Sequence, residues 1–278
     1  MTSGQDWQGR VGDVWAAEWQ RTERSFADLA RHLDRVIANN APETGRALDI
    51  GSGAGSTSMA LQAARPALQV TGVDLSPELV ALATERAEQG GADGVRFLGG
   101  DAITVARAEG PFDLFVSRHG VMFFPDPVAA FAGLRQAAGD GAQMIFSCFD
   151  DRSRNSFATV ADEAVGVTPP PVDGYEPGPF AFADSDRVAN WLEGGGWHPE
   201  GAARIAFDYV AGQGDDPVED ALSFLSRIGP AARAMAVADA TERARIADAL
   251  RGILANYRVD YRIVLPASAW IWRGTTSL

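Results

Sequence analysis

The chain has 278 residues, of which 46% are apolar and 22% charged, ordinary values for a globular protein built as one large domain or two small ones. Thirty-seven acidic residues against 24 basic ones give a formal charge of −13, which disfavours a nucleic-acid partner because an acidic surface repels phosphate backbones. All 24 basic residues are arginine, so pyridoxal-phosphate Schiff-base enzymes, lysine-dependent aldolases and P-loops are excluded.

The chain has few residues of the types that bind metals or form disulfides. The single cysteine, Cys148, cannot form an intramolecular disulfide or a cysteine-based zinc site. The three histidines, at positions 32, 119 and 198, lack the spacing of metal ligands, so we expect no metal site. No run of about 18 apolar residues occurs and the first residues lack a signal-peptide pattern. We therefore expect no membrane span and a cytoplasmic location.

The first 45 residues are predicted to form an N-terminal helical cap. Apolar residues recur at three- and four-residue spacing between positions 22 and 39, which indicates an amphipathic helix. The preceding stretch is predicted to be helical in part, and it carries Trp7, Trp15 and Trp19. The run Ala41-Pro42-Glu43-Thr44-Gly45 then ends the helical region.

Residues 46–150 alternate between short apolar runs and helical segments. Strands are predicted at 47–50, 68–73, 95–98, 112–117 and 142–149, and helices at 57–65, 76–90 and 126–138. In the second of these helices Ser76 is the expected N-cap and Pro77 the first helical residue. Strands that alternate with helices of about ten residues indicate βαβ units and a parallel sheet.

The alternation weakens in residues 151–278. Pro and Gly are so dense in 151–185 that a regular helix is not expected there. A helix is predicted at 185–192, a strand at 204–210, helices in two or three pieces over 217–256, and a last strand at 269–272. No repeat or long linker divides the chain, so we expect a single domain in which 151–278 supplies the remaining strands and two insertions.

The stretch Leu48-Asp49-Ile50-Gly51-Ser52-Gly53-Ala54-Gly55 lies where the first predicted strand turns into a helix. Glycines at such a turn let the backbone approach a ligand, and the helix N-terminus offers free N–H groups. The second strand ends in Asp74, where a carboxylate can accept both hydroxyls of a ribose. The pair predicts a nucleoside-containing cofactor across the carboxyl ends of the first two strands.

The glycine spacing and Asp49 favour a cationic nucleoside over a dinucleotide. The dinucleotide fingerprint G-x-G-x-x-G would need a third glycine at position 56, which is serine. Asp49, two residues before the first glycine, would repel a pyrophosphate but would favour a positively charged methionine group.

With these residues the chain resembles the class I S-adenosylmethionine-dependent methyltransferases. The resemblance covers about residues 46–149 and is carried by the glycine loop, by Asp74, by Gly100-Asp101-Ala102 and by Phe112-Asp113. It implies an α/β, Rossmann-like sheet of seven mostly parallel strands, the last antiparallel, with helices on both faces and a helical lid. It also implies that Asp101 and Ala102 border the adenine of S-adenosylmethionine.

The run Ser117-Arg118-His119-Gly120-Val121-Met122-Phe123-Phe124 resembles a bacterial subgroup with small-molecule or quinone-type acceptors. That subgroup usually has an aromatic residue where this chain has His119, so a base at 119 would not be inherited from it. His119 follows the fourth strand, and its reference pKa near 6.5 suits a general base. Tyr175 and Glu176 are weaker candidates. The predicted cofactor-binding residues are Trp15, Asp49, Gly51, Ser52, Gly53, Asp74, Leu75, Asp101, Ala102, Ser117 and Arg118.

We therefore predict a methyltransferase with a small, hydrophobic or aromatic acceptor. The segments 151–185 and 211–266 would form the acceptor lid, and their apolar residues are Phe180, Phe182, Phe224, Leu225, Ile228 and Met235. Three alternatives remain open: a non-catalytic relative that binds S-adenosylmethionine, an NAD(P)-dependent oxidoreductase, and a methyltransferase that acts on protein or on RNA, of which RNA is disfavoured by the charge. The sequence identifies neither the acceptor atom nor the oligomeric state.

Overall fold

One mixed sheet organises the residues that the computed structural model describes, 4–167 and 174–277. Its eight strands in that part of the chain are β1 (Gly45–Ile50), β2 (Leu68–Asp74), β3 (Val95–Gly99), β4 (Phe112–Arg118), β5 (Ala138–Phe149), β6 (His198–Gln213), β7 (Arg258–Val259) and β8 (Arg262–Thr275). Their order is β3-β2-β1-β4-β5-β8-β6, and the two-residue β7 pairs with β8.

The direction of the strands sets the position of a ligand crevice. Strands β1 to β5 pair in parallel, whereas β8 runs antiparallel to both β5 and β6. The chain leaves β1 toward β2 on one side and returns to β4 on the other, so the order reverses between β1 and β4. Ligands of open α/β sheets bind outside the carboxyl ends of the strands at such a switch point.

Twelve helices accompany the sheet within the described residues. They are α1 (Gly4–Trp7), α2 (Arg10–Ala17), α3 (Trp19–Asn40), α4 (Ser56–Ala64), α5 (Pro77–Gly90), α6 (Ala102–Glu109), α7 (Pro127–Gln136), α8 (Ser156–Val165), α9 (Ser185–Gly194), α10 (Pro217–Leu225), α11 (Pro230–Val237) and α12 (Ala240–Ala255). Helix α3 contacts α4 and β5, and α7 contacts α6 and α9.

Alternation along β5 shows that helices cover both faces of the sheet. Phe146 packs against Phe131 of α7, with 5.9 Å between ring centroids. Phe149, three residues on, packs against Phe26 of α3 at 5.8 Å. Because an odd number of residues separates side chains on opposite faces of a strand, α7 and α3 lie on opposite sides. The predicted doubly covered, mostly parallel sheet is confirmed.

Local signals placed most elements of residues 46–150 correctly. The five strands and three helices predicted there are all present. The Ser76 side chain accepts a hydrogen bond from the Leu79 N–H, Pro77 is the first residue of α5, and Gly91 ends the helix in the left-handed conformation. Helix α6 was not predicted, although Asp101 caps it through the Thr104 N–H.

The prediction that 151–185 would contain no regular helix is wrong. Helix α8 occupies Ser156–Val165 and ends at Gly166, which adopts a left-handed conformation. The helix lies before the Pro-rich run 169–171, which falls outside the described residues. The prediction failed because it applied the proline and glycine content of the whole segment 151–185 to its first part, where these residues are few. Strands β6 and β8 are also longer than the predicted 204–210 and 269–272, since they pair with each other along most of their length.

The helical insertions pack on one another and on the sheet. Helix α12 contacts α8 and α10, α11 contacts α8, and α10 lies against β6. The break at Gly229-Pro230 separates α10 from α11, as predicted. Four of the six apolar lid residues are buried within this assembly: Phe224, Leu225, Ile228 and Met235. They form the interior of the insertions.

Candidate active site

The glycine loop occupies the switch point between β1 and β4. Gly51 and Gly53 have φ angles of 66° and 53°, a left-handed conformation that glycine adopts without strain. The N–H groups of Gly51 and Ser52 donate to the Val73 carbonyl, which fixes the loop to the end of β2. An added Cβ at Gly51 would lie 3.0 Å from the Gly120 Cα. The loops after β1 and β4 therefore meet at the base of the crevice.

Asp74 joins this loop directly. One carboxylate oxygen accepts the Gly53 N–H at 2.9 Å, and the other accepts the Ser76 N–H at 2.9 Å. Burial raises the pKa of Asp74, while the N–H groups of Ser76, Gly53 and Leu75 lower it. The side chain thus holds its carboxylate between the glycine loop and the start of α5. Each oxygen retains a lone pair for a further donor.

Asp49 and Ser52 carry buried polar atoms without a partner. One Asp49 oxygen accepts the Ser58 hydroxyl at 2.7 Å, whereas the other makes no hydrogen bond although the residue is only 1% exposed. The Ser52 hydroxyl is also buried and unpartnered. Buried polar groups are nearly always satisfied, so each of these two atoms can take a further polar partner. Burial raises the pKa of Asp49 to about 6, against the lowering effects of Ser58 and Arg118.

The other predicted cofactor residues lie along the same edge of the sheet, but they differ in burial and in their hydrogen-bond partners. Asp101 is exposed, and one of its oxygens accepts both the N–H and the hydroxyl of Thr104. Ala102 and Leu75 are half-buried. The Ser117 hydroxyl is fully buried, where it donates to the Ile50 carbonyl at 2.7 Å and accepts the Gly120 N–H. Its side chain links β4 to β1.

The N-terminal helices cover the crevice. The Trp7 ring packs on Trp15 and on Phe123 after β4, with centroid distances of 5.6 and 5.2 Å. Gly12 of α2 approaches the Ser76 side chain so closely that a Cβ at position 12 would clash with it. Trp15 is half-buried among helices that reach from the start of α5 to the loop after β4.

His119 lies on the ligand edge in a strained conformation. Its φ of 63° is in the left-handed region, which costs energy for a residue with a Cβ and is often retained at functional sites. Nδ1 hydrogen-bonds the Ser147 hydroxyl at 2.9 Å, and the buried Nε2 has no partner. The ring packs between Phe26 and Phe149 at centroid distances of 5.1 and 4.2 Å.

The protonation of His119 differs from the sequence-based expectation. Burial, reinforced by the charge of Arg118, lowers its pKa to about 3. The imidazole is therefore neutral throughout the physiological range, and the reference value near 6.5 does not apply in the fold. Nδ1 is engaged by the Ser147 hydroxyl, so Nε2 is the ring nitrogen without a partner, and it is the acceptor in the tautomer that carries its proton on Nδ1.

The aromatic residues around His119 extend toward the insertions. Phe149 contacts Phe157 of α8 at 4.9 Å and the half-buried Phe180 at 5.8 Å. Phe182 is in a different place, because it is fully buried and packs on Phe131, Phe146 and Trp191 across the sheet. The predicted pairing of Phe180 and Phe182 in one lining is wrong. Phe180 belongs to the cluster near His119, and Phe182 belongs to the core.

Arg118 already has a carboxylate partner. Its guanidinium forms a two-armed ion pair with Glu23 of α3, in which the longer arm joins Nη1 to Oε2 at 3.3 Å. Both side chains are mostly buried, with 14% and 23% of their surface exposed. Burial opposes the ionisation of Glu23, but Arg118, Ser56 and Arg86 outweigh it and lower its pKa.

Sequence reasoning missed the partners that come from distant elements. Glu23 lies 95 residues before Arg118, and Ser147 lies 28 residues after His119. Neither belongs to a motif, and only the packing of α3 and β5 against β4 brings them into the site. Tyr175 was considered as a base, but its hydroxyl donates to the Phe124 carbonyl, and the other weak candidate, Glu176, is exposed.

Across 4–167 and 174–277, no three His, Cys, Asp or Glu side chains are placed to hold a metal ion. No helix in that same part of the chain is both long and apolar enough to cross a membrane.

Comparisons with known proteins agree with the geometry of the crevice. Residues 47–141 match a family described as a methyltransferase domain. A demethylmenaquinone methyltransferase of Thermus thermophilus is 30% identical over 140 residues, which are 50% of this chain and 59% of that protein. A tRNA 5-carboxymethoxyuridine methyltransferase of Escherichia coli is 29% identical over 190 residues, 66% of this chain and 72% of that protein.

The fold has close parallels among solved structures. YcgJ of Bacillus subtilis superimposes with a TM-score of 0.57 over 89% of this chain and 99% of its own, at 16% identity, a likeness that shows the fold alone. This chain spans less than two thirds of the Thermus protein, of which the match covers 59%. The matched residues 47–141 contain the glycine loop and the carboxyl ends of β1, β2 and β4, so the similarity to a methyltransferase domain falls on the switch point of the sheet.

Proposed function

We propose that this protein transfers a methyl group from S-adenosylmethionine to a small acceptor with an apolar or aromatic body. The observation that carries the proposal is the unpartnered Asp49 oxygen beside the glycine loop. A buried carboxylate there can receive the cationic amino end of the cofactor, while Asp74 receives the ribose. Gly53, where an added Cβ would meet no protein atom within 4 Å, leaves room for the nucleoside, and Asp101 and Ala102 would border its base.

Bound S-adenosylmethionine supplies an electrophilic methyl group on a sulfonium, and the protein must align an acceptor with it. Alignment of the reacting atoms can account for most of the acceleration in such a displacement. Where the acceptor holds a proton, His119 is the proposed catalytic residue, since its neutral imidazole presents an unpartnered Nε2. Ser147 would hold the ring in the required tautomer. The N-terminal cap would exclude water from this crevice.

The cofactor assignment is tested by calorimetry with purified protein. S-adenosylmethionine and its demethylated product should bind, and NADH should not. Binding of NADH alone would overturn the reading in favour of an oxidoreductase. A non-catalytic relative would bind the cofactor yet release no S-adenosylhomocysteine with any acceptor in a screen of cell extracts.

Asp74→Ala should lower cofactor affinity at least about tenfold, because two charge-assisted hydrogen bonds to the ribose of about 1.5–3 kcal/mol each are lost. Isothermal calorimetry measures the change, and circular dichroism checks that the fold is kept. Asp126→Ala is the matched control, since Asp126 also accepts a backbone N–H but caps α7. Equal affinities for wild type and Asp74→Ala would refute the ribose assignment.

The acceptor class rests on the rings that surround His119. Phe26, Phe149, Phe157 and Phe180 form a connected aromatic surface of which only Phe180 is half-buried and the other three are buried, and the buried Tyr209 stacks on Phe157 at 4.9 Å. An acceptor would meet this surface at Phe180, because aromatic rings bind flat or apolar molecules through buried area and ring contacts. The charge of −13 also disfavours RNA as the acceptor.

Phe180→Ala should raise the KM for the acceptor about tenfold, since contact with one aromatic ring is worth roughly 1–2 kcal/mol, and should leave cofactor affinity unchanged. Steady-state kinetics at saturating cofactor measures both parameters. Phe182→Ala removes an equal ring from the core and should lower stability without a specific effect on KM. If the two variants have the same KM as wild type, the acceptor does not lie on this aromatic surface.

A nucleic-acid acceptor is tested in the same assay, because the Escherichia coli relative is named for a tRNA nucleoside. Total tRNA and a panel of phenols, quinols and small amines should be offered with labelled cofactor. We expect label in the small molecules. If only tRNA becomes labelled, the acceptor is RNA and not a small molecule, and the proposal for the cofactor site is unaffected.

A further inference from the structure

The N-terminus of α4 and two arginines surround a subsite for a carboxylate. Ser56 begins α4 directly after the glycine loop, where free N–H groups attract anions. Arg86 of α5 reaches the Ser56 hydroxyl at 3.2 Å and stacks over the Trp19 ring at 4.1 Å. Arg118 approaches the same place from the end of β4. Two cations at a helix N-terminus favour one negatively charged group between them.

In the structure that group belongs to the protein itself. The Glu23 carboxylate pairs with Arg118, accepts a hydrogen bond from Ser56 and lies in the field of Arg86. Glu23 is carried by α3, which follows directly after the N-terminal cap formed by α1 and α2. The occupant of the subsite therefore comes from the helix that directly follows α1 and α2 in the N-terminal region.

Asp49 supplies a carboxylate in the electrostatic range of Arg118. The residue is only 1% exposed, one of its oxygens has no hydrogen-bond donor, and the charge of Arg118 lowers its pKa against the effect of burial. A zwitterion needs a carboxylate for its amino group and a cation for its carboxylate, and Asp49 with Arg118 supplies this pair. One oxygen of the Asp49 carboxylate has no partner in the structure, whereas the Arg118 guanidinium is already paired with Glu23.

We propose that Glu23 stands in for the carboxylate of the cofactor's amino-acid portion, so that cofactor binding exchanges one carboxylate for another on Arg118. This inference rests on the proposed function. Glu23 then lowers the affinity for ligands that carry the amino-acid carboxylate and has no effect on nucleosides that lack it. Release of Glu23 also removes its contact with Ser56 at the start of α4, while the buried apolar face of α3 stays in the core.

The test compares two ligands in calorimetry, S-adenosylhomocysteine and 5′-methylthioadenosine, which keeps the nucleoside but lacks the amino acid. Glu23→Gln should bind S-adenosylhomocysteine about tenfold more tightly than wild type, because a charge-assisted pair no longer competes. Its affinity for 5′-methylthioadenosine should not change. Glu18→Gln is the matched control, because Glu18 is a buried carboxylate of the same segment that pairs with Arg21 and Arg227.

A second variant tests whether Arg118 is the shared partner. The double variant Glu23→Gln/Arg118→Gln has neither charge, so it avoids leaving one buried ion unpaired. It should lose the gain for S-adenosylhomocysteine and keep wild-type affinity for 5′-methylthioadenosine, which also reports an intact fold.

The outcomes separate this inference from the function on which it rests. Equal or weaker binding of S-adenosylhomocysteine by Glu23→Gln, with 5′-methylthioadenosine unchanged, overturns the exchange and leaves the cofactor site standing. The same holds if the double variant binds as tightly as Glu23→Gln, because Arg118 then does not receive the ligand's carboxylate. Failure of wild type to bind either ligand overturns the proposed function, and the inference with it.

Discussion

Replacing His119 by glutamine should lower the turnover number, but by less than the factor of about 10²–10⁴ that a general base with a pKa near neutrality contributes, because a pKa of about 3 makes the buried imidazole a weak base. Glutamine keeps similar volume and a hydrogen-bonding end group, but it cannot accept a proton at neutral pH. Cofactor affinity should be unchanged, since the ring contacts Phe26 and Phe149 and lies in the aromatic cluster. Rates at saturating acceptor and calorimetry with cofactor separate the two effects.

The pH profile of the wild type adds an independent check. A histidine with a pKa near 6.5 would give a rate that rises through neutrality, whereas the buried His119 has a pKa of about 3. The ring is neutral above that value, so its titration should contribute no step in the turnover number between pH 5 and 8. A step near pH 6.5 in the wild type that is absent from His119→Gln would show that binding of the acceptor raises the pKa of His119 toward its reference value.

Ser147→Ala is the control for the tautomer. It keeps the imidazole but removes the partner of Nδ1, so turnover should fall less than in His119→Gln. A His119→Gln enzyme with wild-type turnover and wild-type acceptor affinity would identify the histidine as a packing residue. Its left-handed backbone would then be the remaining feature to explain.

The parts of the site that could be predicted from the sequence are those whose residues lie close together along the chain. The loop Gly51 to Gly55 and the strand end at Asp74 each follow from local chemistry, and Asp74 does meet the Gly53 N–H. Asp49 is buried with a free oxygen, which agrees with the argument for a cationic ligand. Their contacts depend only on two adjacent parallel strands, a pairing that βαβ units make predictable.

The parts that sequence could not predict depend on long-range packing. Glu23 is one polar residue among many on α3, and nothing in its neighbourhood marks it as the partner of Arg118. The protonation of His119 was misjudged because reference pKa values describe exposed groups, and burial appears only in the fold. Helix α8 was missed because the proline-rich residues after it dominated the composition of the segment.

Asp49→Asn should raise the stability of the cofactor-free protein at pH 7–8 by up to about 3 kcal/mol, since the pKa of Asp49 differs by about two units between the folded and unfolded chains. Burial raises this pKa to about 6 in the fold, and the nearby carboxylates of Asp74 and Asp34 add to the increase. The asparagine can still accept the Ser58 hydroxyl. Part of the gain is offset because the buried amide donors need partners.

The sign of the pH dependence follows from proton binding. Between about pH 4 and 6 the folded chain binds more protons at Asp49 than the unfolded chain, so stability falls as pH rises through this window. Above the folded pKa the unfavourable charge is fully present. Urea unfolding from pH 4 to 8 should therefore show a shallower decline for Asp49→Asn than for wild type. Asp34→Asn is a useful comparison, because burial raises the pKa of that half-buried carboxyl to about 6 as well.

The same substitution should weaken cofactor binding, which explains why a destabilising carboxylate would be retained. The ionised form of Asp49 attracts the amino group of the cofactor, so wild-type affinity should increase as pH rises from about 5 to 7, through the folded pKa. Asp49→Asn should bind at least about tenfold more weakly at pH 7, the loss of one charge-assisted hydrogen bond, with that pH dependence absent. A variant that is more stable and binds the cofactor as tightly as wild type would show that the free oxygen of Asp49 faces something other than the cofactor's amino group.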